Sequence, residues 1–216
     1  MVHRLFSPLP LVALTLALVG TLTTTDQAIG QVVYIEEDWE IQIGTPDPDG
    51  EAPQIITAMS STDRLEDVHA ILEMNHSTLP DYQAGGMSLQ IWSSGTNLDY
   101  MVHPHKDKLH IDNEVLTYKM TMKISDGTIR FEVKNGTASS WGNYGIGGFH
   151  RTVTTPQTEF TQYSPATSAK FSKVGYAKHR VKKFFLKESR TYNAAGELIS
   201  RDTTERVVHE LTPDSE

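Results

Sequence analysis

The strongest constraint on this chain is an alternation of apolar and polar residues with a period of two, clearest over 115–134. Leu116, Tyr118, Met120, Met122 and Ile124 fall on one side, and Val115, Thr117, Lys119, Thr121 and Lys123 on the other. Successive side chains of a strand point to opposite faces, so this pattern lays one face of a strand on a core. Ser125-Asp126-Gly127 then marks a hairpin turn, because Asp and Gly both tolerate positive φ. Ile129, Phe131 and Val133 return along the buried face, and Asn135-Gly136 is expected to end the second strand.

The same period runs through 33–43, where Val33, Ile35, Trp39, Ile41 and Ile43 alternate with Tyr34, Glu36, Asp38, Glu40 and Gln42. Glu37 is the one charged residue on the apolar side. Further strands are predicted at 53–60, 67–74, 86–93, 98–104, 109–113, 171–190 (whole or broken) and 197–209, the last two joined by Asn193-Ala194-Ala195-Gly196. Segment 63–73 fits either one helical turn or a strand, and 152–168, rich in Thr, Ser, Pro and Gln, reads as a long surface loop. Many short strands with little helix and no internal repeat predict an all-β fold, a two-sheet antiparallel β-sandwich.

The first thirty residues follow a different rule. A cationic start (Met1 to Arg4), an apolar run (Leu9 to Leu22) and the small-x-small triplet Ala28-Ile29-Gly30 form a signal peptide pattern, with cleavage expected after Gly30. The run is short and interrupted by Pro10 and Gly20, too little to span ~30 Å of hydrocarbon, so no integral membrane anchor is expected. The expected product is a single domain over 31–216, secreted or periplasmic. Its net charge stays at −8, since Lys+Arg falls from 19 to 18 and Asp+Glu from 27 to 26. That balance argues against a nucleic-acid partner. The chain has no cysteine, which excludes disulfides, a thiolate nucleophile and lipid attachment at a leading cysteine, and favours a bacterial exported protein.

Four groups of residues carry possible chemistry. Glu36, Asp38 and Glu40 alternate, so on a strand they share a face with neighbours ~6.6–6.8 Å apart. Such a row could set a nucleophile and an acid on either side of a glycosidic bond, or simply form a solvated outer face. Segment 170–190 holds eight of the 18 basic residues beyond the leader. It reads as a patch for an anionic polysaccharide, or as the cross-strand partner of the acidic first strand.

If Lys106-Asp107 is a two-residue loop, His103, His105, His110 and Asp112 project from one face and suit zinc or another divalent metal. One extra loop residue dissolves that set into a polar hairpin. Finally, inward Leu89 and Ile91 turn Trp92 outward, and Trp141, Asn143 and Tyr144 lie in a glycine-rich stretch. Trp and Tyr faces stack on sugar rings and Asn reads hydroxyls, while the alternative is an aromatic plug at the end of the core. No nucleophile elbow, phosphate-binding glycine loop or dinucleotide fingerprint occurs, and no organic cofactor is expected.

Over residues 33–209, the long strands and the late Trp141-Gly142-Asn143-Tyr144-Gly145 segment resemble the concanavalin-like jelly roll of lectins and β-glucanases. Glu36, Asp38 and Glu40 share the Glu-x-Asp-x-Glu spacing of laminarinase-type glycosidases. Glu37 stands where that family has a hydrophobic residue, and the motif opens the exported chain instead of lying deep in it. The Glu37-Asp38-Trp39-Glu40 start is also similar to uncharacterised secreted bacterial proteins. The resemblance implies a jelly-roll sandwich that meets carbohydrate. The expected function is an exported, non-catalytic β-sandwich binding polysaccharide or an envelope or matrix component through Trp92, Trp141, Asn143 and Tyr144. The alternatives are a glycoside hydrolase or polysaccharide lyase acting with Glu36, Asp38 and Glu40, and a structural surface protein without a small ligand.

Overall fold

The computed structural model describes residues 30–44, 53–74, 86–103, 109 and 111–212. In chain order these form β1 (Tyr34–Ile43), β2 (Ile55–Ser60), β3 (His69–Met74), β4 (Met87–Ser93), β5 (Thr96–His103), β6 (Val115–Ser125) and β7 (Thr128–Ala138). There follow β8 (Gly142–Tyr144), β9 (His150–Thr154), helix α1 (Pro165–Phe171), β10 (Lys173–Val174), a 3₁₀ turn at Lys178–Arg180, β11 (Val181–Tyr192), β12 (Leu198–Asp202) and β13 (Arg206–Glu210).

The strands make a two-sheet antiparallel β-sandwich. The larger sheet runs β12-β11-β1-β6-β7-β8, with β13 also on β11 and β9 also on β7. The smaller one runs β10-β2-β3-β4-β5. β1 is therefore a central strand that joins the two ends of the chain: β6 lies on one flank and β11 on the other. The period-two pattern explains the layering. Ile35, Trp39, Ile41 and Ile43 of β1 point inward beside Leu116, Tyr118, Met120 and Met122 of β6, all essentially without solvent contact. Ile55, Met59, Leu72, Leu89 and Ile91 come from the opposite sheet. The Tyr118 hydroxyl hydrogen-bonds Thr57 across the two layers.

Turn chemistry sets the registers. Asp126 (φ 50°) and Gly127 (φ 70°) form the tight turn between β6 and β7, with Ser125 opposite Thr128. Ser94 (φ 48°) and Gly95 (φ 75°) do the same between β4 and β5. Helix α1 begins at Pro165, suited to a first turn that lacks an N–H partner, and packs on β2, β11 and β13 along one side of the sandwich.

Four expectations change and one open alternative is resolved. β7 does not stop at Asn135 but bulges there and continues to Ala138. The described part of 109–113 is a turn with Asn113 at positive φ, not a strand. Segment 171–190 takes the broken form of the two expected, divided into a helix end, β10, the 3₁₀ turn and β11, because β10 joins the smaller sheet and β11 the larger. The 197–209 strand splits into β12 and β13, which pair with successive halves of the longer β11. The 152–168 loop holds the end of β9 and the start of α1.

Candidate functional site

The outer face of the large sheet is a ladder of charges. Glu36, Asp38 and Glu40 stand on β1 opposite Arg190, Glu188 and Phe185 of β11 and Thr121, Lys119 and Thr117 of β6. Arg190 reaches Glu36 (3.2 Å), Asp38 (2.6 Å) and Glu188 (2.7 Å), Lys119 reaches Asp38 (2.9 Å), and Lys187 reaches Glu40 (2.7 Å). The acidic first strand and the basic late strand are thus sheet neighbours; of the late basic segment, Lys187 and Arg190 pair with acids of β1 and Lys183 with Glu205. Arg180, from the same segment, is buried and donates to the Leu109 carbonyl at 2.7 Å.

Partial burial works against ionisation of Glu36, but the Tyr34 hydroxyl, Lys119 and Arg190 outweigh it and hold its carboxyl below the usual range. Glu40 is treated alike by Lys187 and Gln42. Neither is held protonated, as the acid of glycosidic cleavage must be. Two bulges bend this face: Lys187 is an extra residue in β11, and β7 carries one at Asn135. Between them lies a depression of about 400 Å³ bordered by Asp38, Thr117, Lys119, Asn135, Lys187 and Glu188.

Glu37, the discordant residue of β1, points the other way and has no solvent exposure. Opposite it on β11 is Ser189, whose small side chain leaves room for the carboxylate. Trp39 Nε1 donates to Glu37 Oε2 at 3.1 Å, and the Tyr163 hydroxyl donates to Oε1 at 2.9 Å. The Ser168 hydroxyl of α1 lies beside the carboxylate and favours its charge, although it makes no hydrogen bond of good geometry. Burial prevails over these donors and pushes the Glu37 carboxyl up to about 7.

The outer face of the smaller sheet is different in kind. Trp92 is half-buried, and its Nε1 donates to Gln90 Oε1 at 3.0 Å. Gln90 Nε2 in turn donates to Glu73 Oε2 (3.1 Å), and Gln54 donates to the other oxygen of Glu73. Tyr100, directly opposite Gln90, is exposed, as are Leu98 and Val102 on the same edge strand. Tyr100 was not among the sequence candidates: the turn at Ser94-Gly95 alone would set Asp99 opposite Gln90, and the extra residue Leu98 in β5 shifts the register so that Tyr100 stands there.

The structure separates the sequence candidates. Trp141, Asn143 and Tyr144 lie on the large sheet, away from Trp92 on the smaller one. Trp141 and Tyr144 are buried, packed edge to face at 5.7 Å, and the Tyr144 hydroxyl donates to the Thr117 carbonyl at 3.1 Å. Asn143 is exposed. His103 ends β5 with its ring edge-on to Phe149 at 5.9 Å, and Asp112 lies in the turn before β6. His105 and His110, the other two members of that proposed metal set, lie outside the described residues, as does the leader up to Ile29. Among the described residues no three His, Asp or Glu side chains are grouped to hold a metal ion, and no helix is long and apolar enough to cross a membrane. No protein-family model matches the chain, and no curated protein matches it.

Proposed function

We propose that the protein is an exported, non-catalytic β-sandwich that binds a carbohydrate chain on the outer face of its smaller sheet. The observation that supports this reading is the neighbourhood of Trp92: an indole with a polar network of Gln90, Glu73 and Gln54 along one flank and exposed Tyr100 diagonally across the strand pair. Rigid aromatic faces beside fixed amide and carboxylate groups suit the apolar faces and hydroxyls of sugar rings. The signal peptide pattern supports this reading, since a periplasmic or secreted protein would meet envelope and matrix polysaccharides. A concanavalin-like relationship would agree with such a ligand.

The test is a glycan array on the purified chain, followed by titration of each hit. Trp92→Ala and Tyr100→Ala are each expected to weaken binding roughly tenfold, since a stacking aromatic at a hot spot commonly contributes that much. Hits bound equally well by both variants would overturn the reading, and so would an array without hits. Polysaccharide cleavage is the second reading, favoured by the position of Asp38 on the bulge-lined depression. Release of reducing sugar, abolished in Asp38→Asn, would carry it.

A further inference from the structure

The large sheet carries a second feature, independent of the Trp92 face. The tight turn at Asp126-Gly127 pairs Lys123 with Arg130 and Lys119 with Lys134 across β6 and β7. Like charges directly opposite each other in an antiparallel pair are unfavourable. The neighbouring acids only partly relieve them. Lys119 is taken by Asp38 of β1, and Glu132 is shared between Arg130 (3.3 Å) and Lys134 (3.2 Å). Lys123 is exposed and has no ion pair among the described residues; its neighbour on β1 is Tyr34. The one other acid of this hairpin, Asp126, sits in the turn.

Over these residues lies a hollow of about 470 Å³ bordered by Tyr34, Lys123, Ser125, Arg130, Glu132 and Lys134. Three cations and one anion give its wall an excess of two positive charges in a chain whose net charge is −8. The Tyr34 hydroxyl is already given to Glu36 at 2.7 Å, so Tyr34 contributes an apolar wall instead of a donor.

We propose that this hollow is a binding site for an oxyanion, the sulfate ester or carboxylate of an acidic polysaccharide. Arg130 offers a planar fork and Lys123 and Lys134 point charges, a set that matches either group. The polymer is favoured over a bare ion because the hollow is larger than an ion needs and has the Tyr34 ring as an apolar side. The bound anion also relieves the Lys123–Arg130 repulsion that the fold leaves standing.

The experiment is calorimetric titration of the full chain with oligosaccharides of dextran sulfate and of polygalacturonate, beside inorganic sulfate and phosphatidylglycerol vesicles. At least one acidic oligosaccharide is expected to bind, more tightly than inorganic sulfate and more weakly as salt rises. The double substitution Lys123→Gln, Arg130→Gln is expected to lower that affinity roughly tenfold or more, whereas Lys173→Gln, an exposed cation of β10 in the smaller sheet, leaves it unchanged. The double variant removes a like-charge pair together with the partly exposed Arg130–Glu132 pair, while Glu132 keeps Lys134, so its urea midpoint should stay close to the parent's and lost binding then reports on the site. Lys123→Gln alone breaks no ion pair and should shift affinity in the same direction. Equal binding by parent and variants, binding of sulfate or vesicles but not of the oligosaccharides, or no binding at all would overturn the proposal.

Discussion

At the residue scale the most informative side chain is Glu37. An acid on the inner face of a central strand costs desolvation energy, and this one meets hydroxyl and indole donors but makes no ion pair among the described residues, the charge of Arg206 acting on it only weakly. Its carboxyl, raised from 4.5 to about 7, binds a proton more tightly in the folded chain than in the unfolded one. The stability this confers is full below about pH 4.5 and is lost as pH rises through about 7. Glu37→Gln keeps an acceptor for Trp39 and lets its amide donate to the Tyr163 oxygen. We expect its urea midpoint to exceed the parent's at pH 8 and the two to converge near pH 5. Parallel pH profiles for the two proteins would refute this. Glu37→Ala should be destabilised at both pH values by about 2–4 kcal/mol, from an emptied site and two unsatisfied donors.

At the element scale, the β7–β8 corner shows why glycines and aromatics recur together. A Cβ at Gly136 would land in the Tyr144 ring, and one at Gly145 (φ 67°) would press on the Val133 carbonyl at 2.9 Å. Gly127 also has positive φ, but open space surrounds it. Gly127→Ala should therefore lose only the conformational term, about 1 kcal/mol. Gly136→Ala must displace Tyr144 and with it the Trp141 contact, for roughly 1–3 kcal/mol. Urea denaturation of the two variants checks the order, and equal losses would show that Tyr144 has somewhere else to go.

Legibility in the sequence follows the same division. The β6–β7 hairpin could be read because its alternation and its turn agree, and a two-residue turn at 126–127 already implies that Lys123 faces Arg130. The bulges at Asn135 and Lys187 could not, since one inserted residue leaves no periodic trace beyond a shifted phase. Trp92 could be placed outward from its own strand. Its polar network was hidden because Glu73 arrives from β3 and Gln54 from the segment just before β2. Glu37 announced itself as a break in the pattern, while its partners Tyr163 and Ser168 lie more than a hundred residues away, where local periodicity carries no information.

For the whole molecule, the decisive fact is that β1 is closed by the end of the chain. Glu40 and Lys187, which pair across β1 and β11, are 147 residues apart in sequence, and Glu36 and Arg190 are 154 apart. Until β11 docks, β1 is an edge strand with an open hydrogen-bonding flank and a row of acids lacking Arg190 and Lys187. Phe184 and Leu186 of β11 are also missing from the core at that stage. Contacts of such long separation place folding in the slow, millisecond-to-second regime of β-sandwiches. They also make the C-terminal strands part of the cooperative unit and not an appendage. A chain ending at Tyr176 should therefore show no cooperative urea transition and no near-ultraviolet dichroism from the buried Trp39, which packs against the tilted ring of Phe184 at 5.4 Å. Adding a peptide of residues 177–212 should restore both signals by supplying β11 to β13 in trans. If the truncated chain instead unfolds cooperatively near the parent's midpoint, β1 is held by β6 alone, and the cross-chain charge ladder contributes nothing to the fold.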